Sequence, residues 1–181
     1  MAEVSLHDPD ALLAALLPRL SDQRFWLRRI ERCLSKASAR MHLAVFHEPF
    51  LNLLLDGKKT IESRFSVNRV APYASVARDD LILLKRSAGP VVGIALAGDP
   101  GFYQLDASAW QTIRTRFAAA ICAPDERFWE QRARARYGTL IPVRATAAVT
   151  PFAVAKRDRR GWVVIEPARA AQGTLETALE A

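Results

Sequence analysis

The chain has 181 residues, half of them hydrophobic and 25% charged, with a formal net charge of +7 and a pI of about 10. Such a length supports one domain with a real core plus a short appendage, no apolar run approaches the ~20 residues of a membrane helix, and "MAEVSLHDPD" lacks the basic start and apolar middle of a secretory leader. A cytoplasmic protein is therefore expected, and the cation excess favours polyanionic partners, nucleic acid above all, with a merely solvated basic surface as the alternative.

In chain order, "DPDALLAALLPRL" carries a narrow leucine stripe (Leu12, Leu13, Leu16, Leu17) limited by Pro18, which predicts a short helix. Ser21 is a candidate cap for a second helix, "SDQRFWLRRIERCLSKAS", whose Phe25, Leu27, Ile30, Cys33 and Leu34 recur at helical spacing. That helix also bears Arg24, Arg28, Arg29 and Arg32. An amphipathic helix packed on the main domain is preferred to a basic helix touching nucleic acid. "MHLAVF" predicts a strand, and "EPFLNLLLDG" a helix with Pro49 in its first turn and Gly57 just past its end. "KTIESRF" predicts the next strand, followed by the loop "SVNRVAPYASVARDD". "LILLKRS" and "VVGIALAG" predict two strands around a "SAGP" turn. Asp106 and Ser108 are positioned to cap "ASAWQTIRTRFAAAIC", and "DERFWEQRARARYG" predicts a further helix ending at Gly138. "TLIPVRATAAVTPFAV" has strand character interrupted by Pro142 and Pro151. "KRDRRG" predicts a basic loop, "GWVVIEP" a closing strand, and the remaining residues a weakly helical tail.

Short strands alternate with a few helices from residue 41 onward, so an α+β domain built on a compact, mostly antiparallel, barrel-like sheet fits best. The expected organisation is an N-terminal helical arm over 1–40, the main domain over 41–167 and a tail over 168–181. Neither Cys33 nor Cys122 sits in a CxxC pair, and His7, His42 and His47 are scattered. No zinc-ligand spacing, GxGxxG or GxxxxGK[ST] occurs, so no metal and no nucleotide cofactor is expected.

The most informative stretch is "LDGKKTIESRF", residues 55–65. An apolar helix ends in Gly57, and a strand follows that starts wet. Alternation places Thr60, Glu62 and Arg64 on one side, about 6 to 7 Å apart, with Ile61 and Phe65 on the other. Lys59 sits at the helix-to-strand corner beside Lys58. The polar side is either a solvated face with a surface ion pair, worth at most about 1 kcal/mol, or the floor of a pocket. In a pocket, Arg64 would grip a phosphate or a base edge, Glu62 would hold the arginine or accept from an exocyclic amine, and Lys59 would neutralise an anion or transfer a proton.

These residues resemble the signature of the ASCH domain family, in which a helix, then G-x-K-[TS], then E-x-R opens the second strand. Gly57, Lys59, Thr60, Glu62 and Arg64 match it. "FSVNRVAPY", "DDLILLKRSAGPVVGIA", "FWEQRARARYGTLIPV" and "KRDRRGWVVI" follow in order and look like bacterial members, over roughly residues 41–167. The resemblance implies a PUA-like fold, a small β-barrel with helices at its mouth, and a cleft for RNA, single-stranded nucleic acid or a modified nucleoside. It also implies possible hydrolases, either ribonucleases or amidohydrolases acting on N4-acetylcytidine. The amidohydrolase motif resembles GxKTxTxR, whose lysine and first threonine match Lys59 and Thr60. Its second threonine, the nucleophile, falls on Glu62, and glutamate does not replace an activated hydroxyl. Glu126 or Glu130 would match that branch's distal carboxylate. In a ribonuclease, Lys59 and Glu62 would be the catalytic acid and base, with Arg64 stabilising phosphorane charge.

Around this motif, Ser66, Asn68, Arg69 and Tyr73 occupy the loop after the strand. Asn68 suits base-edge hydrogen bonding and Tyr73 base stacking, and a plain turn is the alternative. Lys85 is either a solvated strand end or a phosphate contact at a cleft mouth. Lys156, Arg157, Arg159 and Arg160 are either a solvated tip or a grip on a nucleic-acid backbone. Arg132, Arg134 and Arg136 read as solubilising, and Trp110, Phe117, Phe128, Trp129 and Trp162 as core.

Overall fold

The computed structural model describes residues 3–35, 40–123, 125–156 and 159–165. It begins with the two-residue strand β1 (Val4–Ser5) and helix α1 (Pro9–Leu16). Asp8 caps α1 by accepting from the Ala11 amide at 2.9 Å, and Pro9 occupies the first turn, where its missing N–H costs nothing. A 3₁₀ turn (Leu17–Arg19) leads to α2 (Arg24–Ser35). This helix starts two residues later than a Ser21 cap predicts, and the Ser21 hydroxyl donates back to the Pro18 carbonyl. The chain continues through β2 (Met41–Phe46), α3 (Phe50–Leu55), β3 (Ile61–Ser66), β4 (Leu81–Arg86), β5 (Val91–Ala97) and β6 (Gly101–Gln104). It closes with α4 (Ala107–Ile121), α5 (Glu126–Glu130), β7 (Tyr137–Phe152), β8 (Val154–Ala155) and β9 (Trp162–Ile165).

The strands form a mixed seven-stranded sheet in the order β3-β7-β5-β4-β2-β9, with β6 also on β7, and a two-stranded pair of β1 and β8. The β2–β4 pair is parallel, and every other pair in the large sheet is antiparallel. The sheet curls into a half-barrel with flanking helices, so the expected α+β, PUA-like architecture is present. β7 causes the curl. Its first part pairs with β3 and β6, and its second part with β5. The two prolines that seemed to interrupt it lie beside register shifts in the β5–β7 ladder. Pro142 accepts from the Gly98 amide through its carbonyl while the next residue, Val143, donates to Thr60. The strand bends there rather than ending.

Both faces of the central strands are covered. On one face, Leu43, Leu81, Leu83, Ile94 and Leu96 meet Leu12, Leu16, Leu20, Trp26 and Ile30 of the N-terminal helices. On the other, Ala44, Ile82, Leu84 and Ala95 meet Leu51 and Leu54 of α3. This explains why "LILL" reads as an unbroken apolar run rather than an alternating one. Each fully buried leucine contributes about 1.5–3 kcal/mol, so the helices of residues 9–35 share the sheet's main core. A third cluster packs Ile113, Ile121 and Trp129 of α4 and α5 on Leu140 of β7.

Candidate ligand-binding cleft

The curl brings the two ends of the sheet, β3 on one side and β2 with β9 on the other, close enough for one side chain to cross between them. That side chain is Arg64. From β3, its Nη2 donates to the Val45 carbonyl of β2 at 2.9 Å and its Nη1 to the Gly161 carbonyl before β9 at 3.3 Å. The guanidinium lies over the rings of Phe46 and Trp162, 5.0 and 5.2 Å from their centres. A solvent-open cleft of about 260 Å³ runs along this seam. Val45, Phe46 and His47 form one wall, Glu62 to Phe65 the other, and Lys59, Phe50, Phe128 and Arg132 close it.

The helix-to-strand corner sets the charges. Gly57 has φ +71°, which costs glycine nothing, and the turn it makes sends Lys59 inward. Lys59 and Glu62 are 3% and 5% exposed, so the pocket-floor alternative holds for them and the solvated face does not. Lys59 Nζ donates to the carbonyls of Ile61 at 2.7 Å and Ile121 at 3.0 Å, and lies 3.4 Å from Glu62 Oε2. Three acceptors thus surround the three N–H bonds of one ammonium. Glu62 Oε1 lies 2.6 Å from Arg64 Nε, an ion pair whose angle leaves that buried N–H without an aligned acceptor. The carboxylate is therefore held between two cations.

Arg132 is a third cation on the cleft wall. It donates from Nη1 to the Phe128 carbonyl at 2.7 Å and stacks 3.7 Å from the centre of the Phe128 ring. Burial pushes its guanidinium below the ordinary arginine range, and the charge of Glu62 pulls the other way. The sequence reading missed Arg132 as a cleft residue because α5 ends at Glu130. The "RARAR" segment is turn rather than helix, so it does not spread around a helical face. His47, Phe46, Phe50, Phe65 and Phe128 are likewise cleft residues that spacing did not single out. The i, i+4 step from Phe128 to Arg132 was the one usable signal.

Other expected contacts lie elsewhere. Thr60 precedes β3 and is exposed outside the cleft, its backbone tied to Ala120 and Val143. Lys58 is exposed and pairs with Asp56 at 3.4 Å. Ser66 donates its hydroxyl to the Asn68 carbonyl, and Asn68 and Arg69 are exposed. Arg69 lies over Tyr73 and Tyr137, and Tyr73 also packs against Phe102. These residues form a second aromatic patch rather than part of the seam. Lys85 donates to the Gly89 carbonyl across the β4–β5 hairpin. Burial, then the charge of Lys156, lowers its ammonium below the ordinary lysine range, with Glu3 opposing. Lys156 is half-buried near it, Arg159 is exposed two residues before the Gly161 carbonyl that holds Arg64, and Arg157 lies outside the described residues. Among the described residues no cluster of His, Cys, Asp and Glu could hold a metal, and no helix is long and apolar enough to cross a membrane.

A buried polar chain supports the seam from behind. Trp162 Nε1 donates to His42 Nδ1 at 3.0 Å, and His42 Nε2 lies 2.9 Å from Asp80 Oδ2. Asp80 also accepts from the backbone amides of Arg40 and Ala77. Since Nδ1 accepts, the proton sits on Nε2 and points at Asp80. The chain fixes the Trp162 ring on which Arg64 rests.

The fold is shared with solved structures. The ASCH protein of Zymomonas mobilis matches with a TM-score of 0.56 over 77% of this chain and 94% of that one, at 14% sequence identity. Two single-residue variants of that protein match at the same identity, with TM-scores of 0.57 over 80% and 99% of the two chains and 0.55 over 77% and 97%. The chain therefore has an ASCH-like fold, as the motif around Gly57 led one to expect. No family model and no curated protein sequence matches it.

Proposed function

We propose that this ASCH-fold protein binds single-stranded RNA or a modified nucleoside in the cleft at the sheet seam. The supporting observation is the composition of the cleft: Lys59, Arg64 and Arg132 surround the single carboxylate of Glu62, within walls formed by Phe46, Phe50 and Phe128. Three cations against one acid leave an excess of two positive charges for a phosphate. The aromatic rings offer faces or edges to a base, and each stacked base contributes about 1–3 kcal/mol in such sites. At about 260 Å³ the cleft falls just under the range of about 300–1,000 Å³ of small-molecule pockets, suiting one splayed-out nucleotide and excluding a duplex. Arg64 uses two of its five N–H groups on Val45 and Gly161, and the third, on Nε, is buried beside Glu62 without an aligned bond, which leaves two for a ligand.

Hydrolysis of RNA or of N4-acetylcytidine is the second proposal, and it rests on Glu62, a carboxylate buried in the cleft wall with His47 at the mouth. Lys59 fits the role of an anchor for Glu62 better than that of a proton carrier, because all its N–H bonds already face acceptors.

Anisotropy of a labelled single-stranded RNA of about 4 nucleotides separates these proposals from their failure. Arg132→Ala is the clean variant, since Arg132 ties no strands together, and should weaken binding at least tenfold. Unchanged affinity would remove the cleft from the proposal. Incubation of RNA and of N4-acetylcytidine with wild type and Glu62→Gln tests hydrolysis, and no turnover by wild type would leave binding alone.

A further inference from the structure

A second basic feature lies on the N-terminal helices, away from the seam. The apolar side of α2 (Trp26, Leu27, Ile30, Cys33) is buried in the main core. Its opposite side carries Arg24, Arg28 and Arg32, all exposed. They are spaced i, i+4, i+8, which sets them in a row at a rise of about 6 Å per step. None of the three has an ion pair among the described residues, whereas the neighbouring Arg29 pairs with Asp79 at 3.5 Å. Like charges at i, i+4 disfavour a helix. So does an N-terminal turn that opens on arginine and holds no acid. Glu31 is the only carboxylate in the helix. Beside the row lies Phe25, 47% exposed, its ring held edge-on to Trp26 at 5.2 Å and capped by Arg29 at 5.2 Å. The four arginines and Phe25 line a shallow groove of about 490 Å³ that contains no acid.

We propose that this ridge is a second nucleic-acid surface, one that grips the phosphate backbone of a single strand and stacks one base on Phe25. Three unneutralised guanidinium groups in register match successive phosphates, and a fixed ring beside them matches a base. An anionic membrane fits less well, because the apolar residues of the helix are already buried and a single phenylalanine is left to insert. Arg29, anchored by Asp79 near the start of β4, and Val45 at the far end of the parallel strand β2 lie at opposite ends of the sheet. A strand must therefore run the length of the sheet, about 15–20 Å, to touch ridge and cleft together.

The test compares single-stranded RNAs of about 4 and about 16 nucleotides on wild type and the triple variant Arg24→Gln, Arg28→Gln, Arg32→Gln. Losing three phosphate contacts should lower the salt slope for the long strand by about 2, so its affinity falls about 100-fold at 0.1 M salt and converges with wild type near 1 M. The short strand should keep its affinity for the cleft. Thermal unfolding checks the fold, which should be unharmed because the substitutions relieve like-charge pairs. Glu31→Gln should tighten the long strand, and Phe25→Ala should weaken it with no change in salt slope. An unchanged slope in the triple variant overturns the proposal. Tighter binding to phosphatidylserine vesicles than to the long RNA, lost in the same variant, overturns it in favour of a membrane. Unchanged short-strand affinity in Arg132→Ala with the ridge effect intact would sink only the cleft proposal, whereas lost short-strand binding in Arg132→Ala with an unchanged slope in the triple variant would leave the cleft standing by itself, so the two surfaces fail separately.

Discussion

Lys59→Met puts the architecture of the cleft to a quantitative test. The substitution keeps the length of the side chain and deletes its ammonium. Three interactions disappear: the bonds to the Ile61 carbonyl at 2.7 Å and the Ile121 carbonyl at 3.0 Å, and the pairing with Glu62 at 3.4 Å. Charge-assisted hydrogen bonds contribute about 1.5–3 kcal/mol each, so the two carbonyl bonds represent about 3–6 kcal/mol. Removing one partner from a buried ion pair independently predicts about 3–5 kcal/mol, and Arg64 still holds Glu62, which favours the lower end. A loss of about 3–5 kcal/mol at this chain length lowers Tm by roughly 6–20 °C. Thermal unfolding followed by circular dichroism, with urea unfolding alongside, measures it. Lys58→Met is the control, since Lys58 is exposed and its pairing with Asp56 is worth under about 1 kcal/mol. The double variant Lys59→Met, Glu62→Leu should be less destabilised than the sum of its parts. A Tm for Lys59→Met within about 2 °C of wild type would show that the ammonium is not a strut, and general acid or base work by Lys59 would regain its standing.

The remaining expectations follow from single features. Gly57→Ala has room for its Cβ but not the backbone, since φ is +71°; about 1 kcal/mol of stability should be lost in urea, and no loss would contradict a left-handed corner. Trp162→Phe removes the donor to His42 Nδ1 and should cost about 1–3 kcal/mol, with the His42 tautomer ratio shifting in ¹⁵N NMR; an unchanged ratio would break the link from Asp80 to the seam. Burial, helped by the charge of Asp80, pushes the Cys33 thiol up to about 12 from an ordinary 9.0. The folded state then holds its proton more tightly than the unfolded state, so this contribution to stability is complete below about pH 9 and is lost as pH rises towards 12. Iodoacetamide at pH 8 should accordingly modify Cys122 in the native protein and Cys33 only after denaturation; rapid native labelling of Cys33 would refute its burial.

Much of the cleft was written locally. The glycine at a helix end fixed the corner, and the period of two along residues 59–65 put Glu62 and Arg64 on one side, because both are short-range consequences of backbone geometry. Thr60 was assigned to the same side by the same period, but β3 begins one residue later and the threonine stays outside the cleft. The strands β2, β4, β5 and β9 were legible from apolar runs. β7 was harder, since its prolines are tolerated only where the β5–β7 ladder already shifts register, a fact that needs the partner strand. β6 was missed because four residues, "GFYQ", carry too little pattern, and β1 and β8 are shorter still. His47 joins the cleft through the curl of the sheet, which no spacing within the chain encodes, and Arg132 through the docking of α5, of which the four-residue step from Phe128 is the only local sign.

An amide NMR titration with a single-stranded RNA of about 4 nucleotides addresses ligand binding at the seam without any mutation. Shifts should concentrate on residues 45–47, 62–65 and 128–132, which come together only across the gap between the two sheet ends. Saturating shifts that leave those three segments still and move others instead would contradict it.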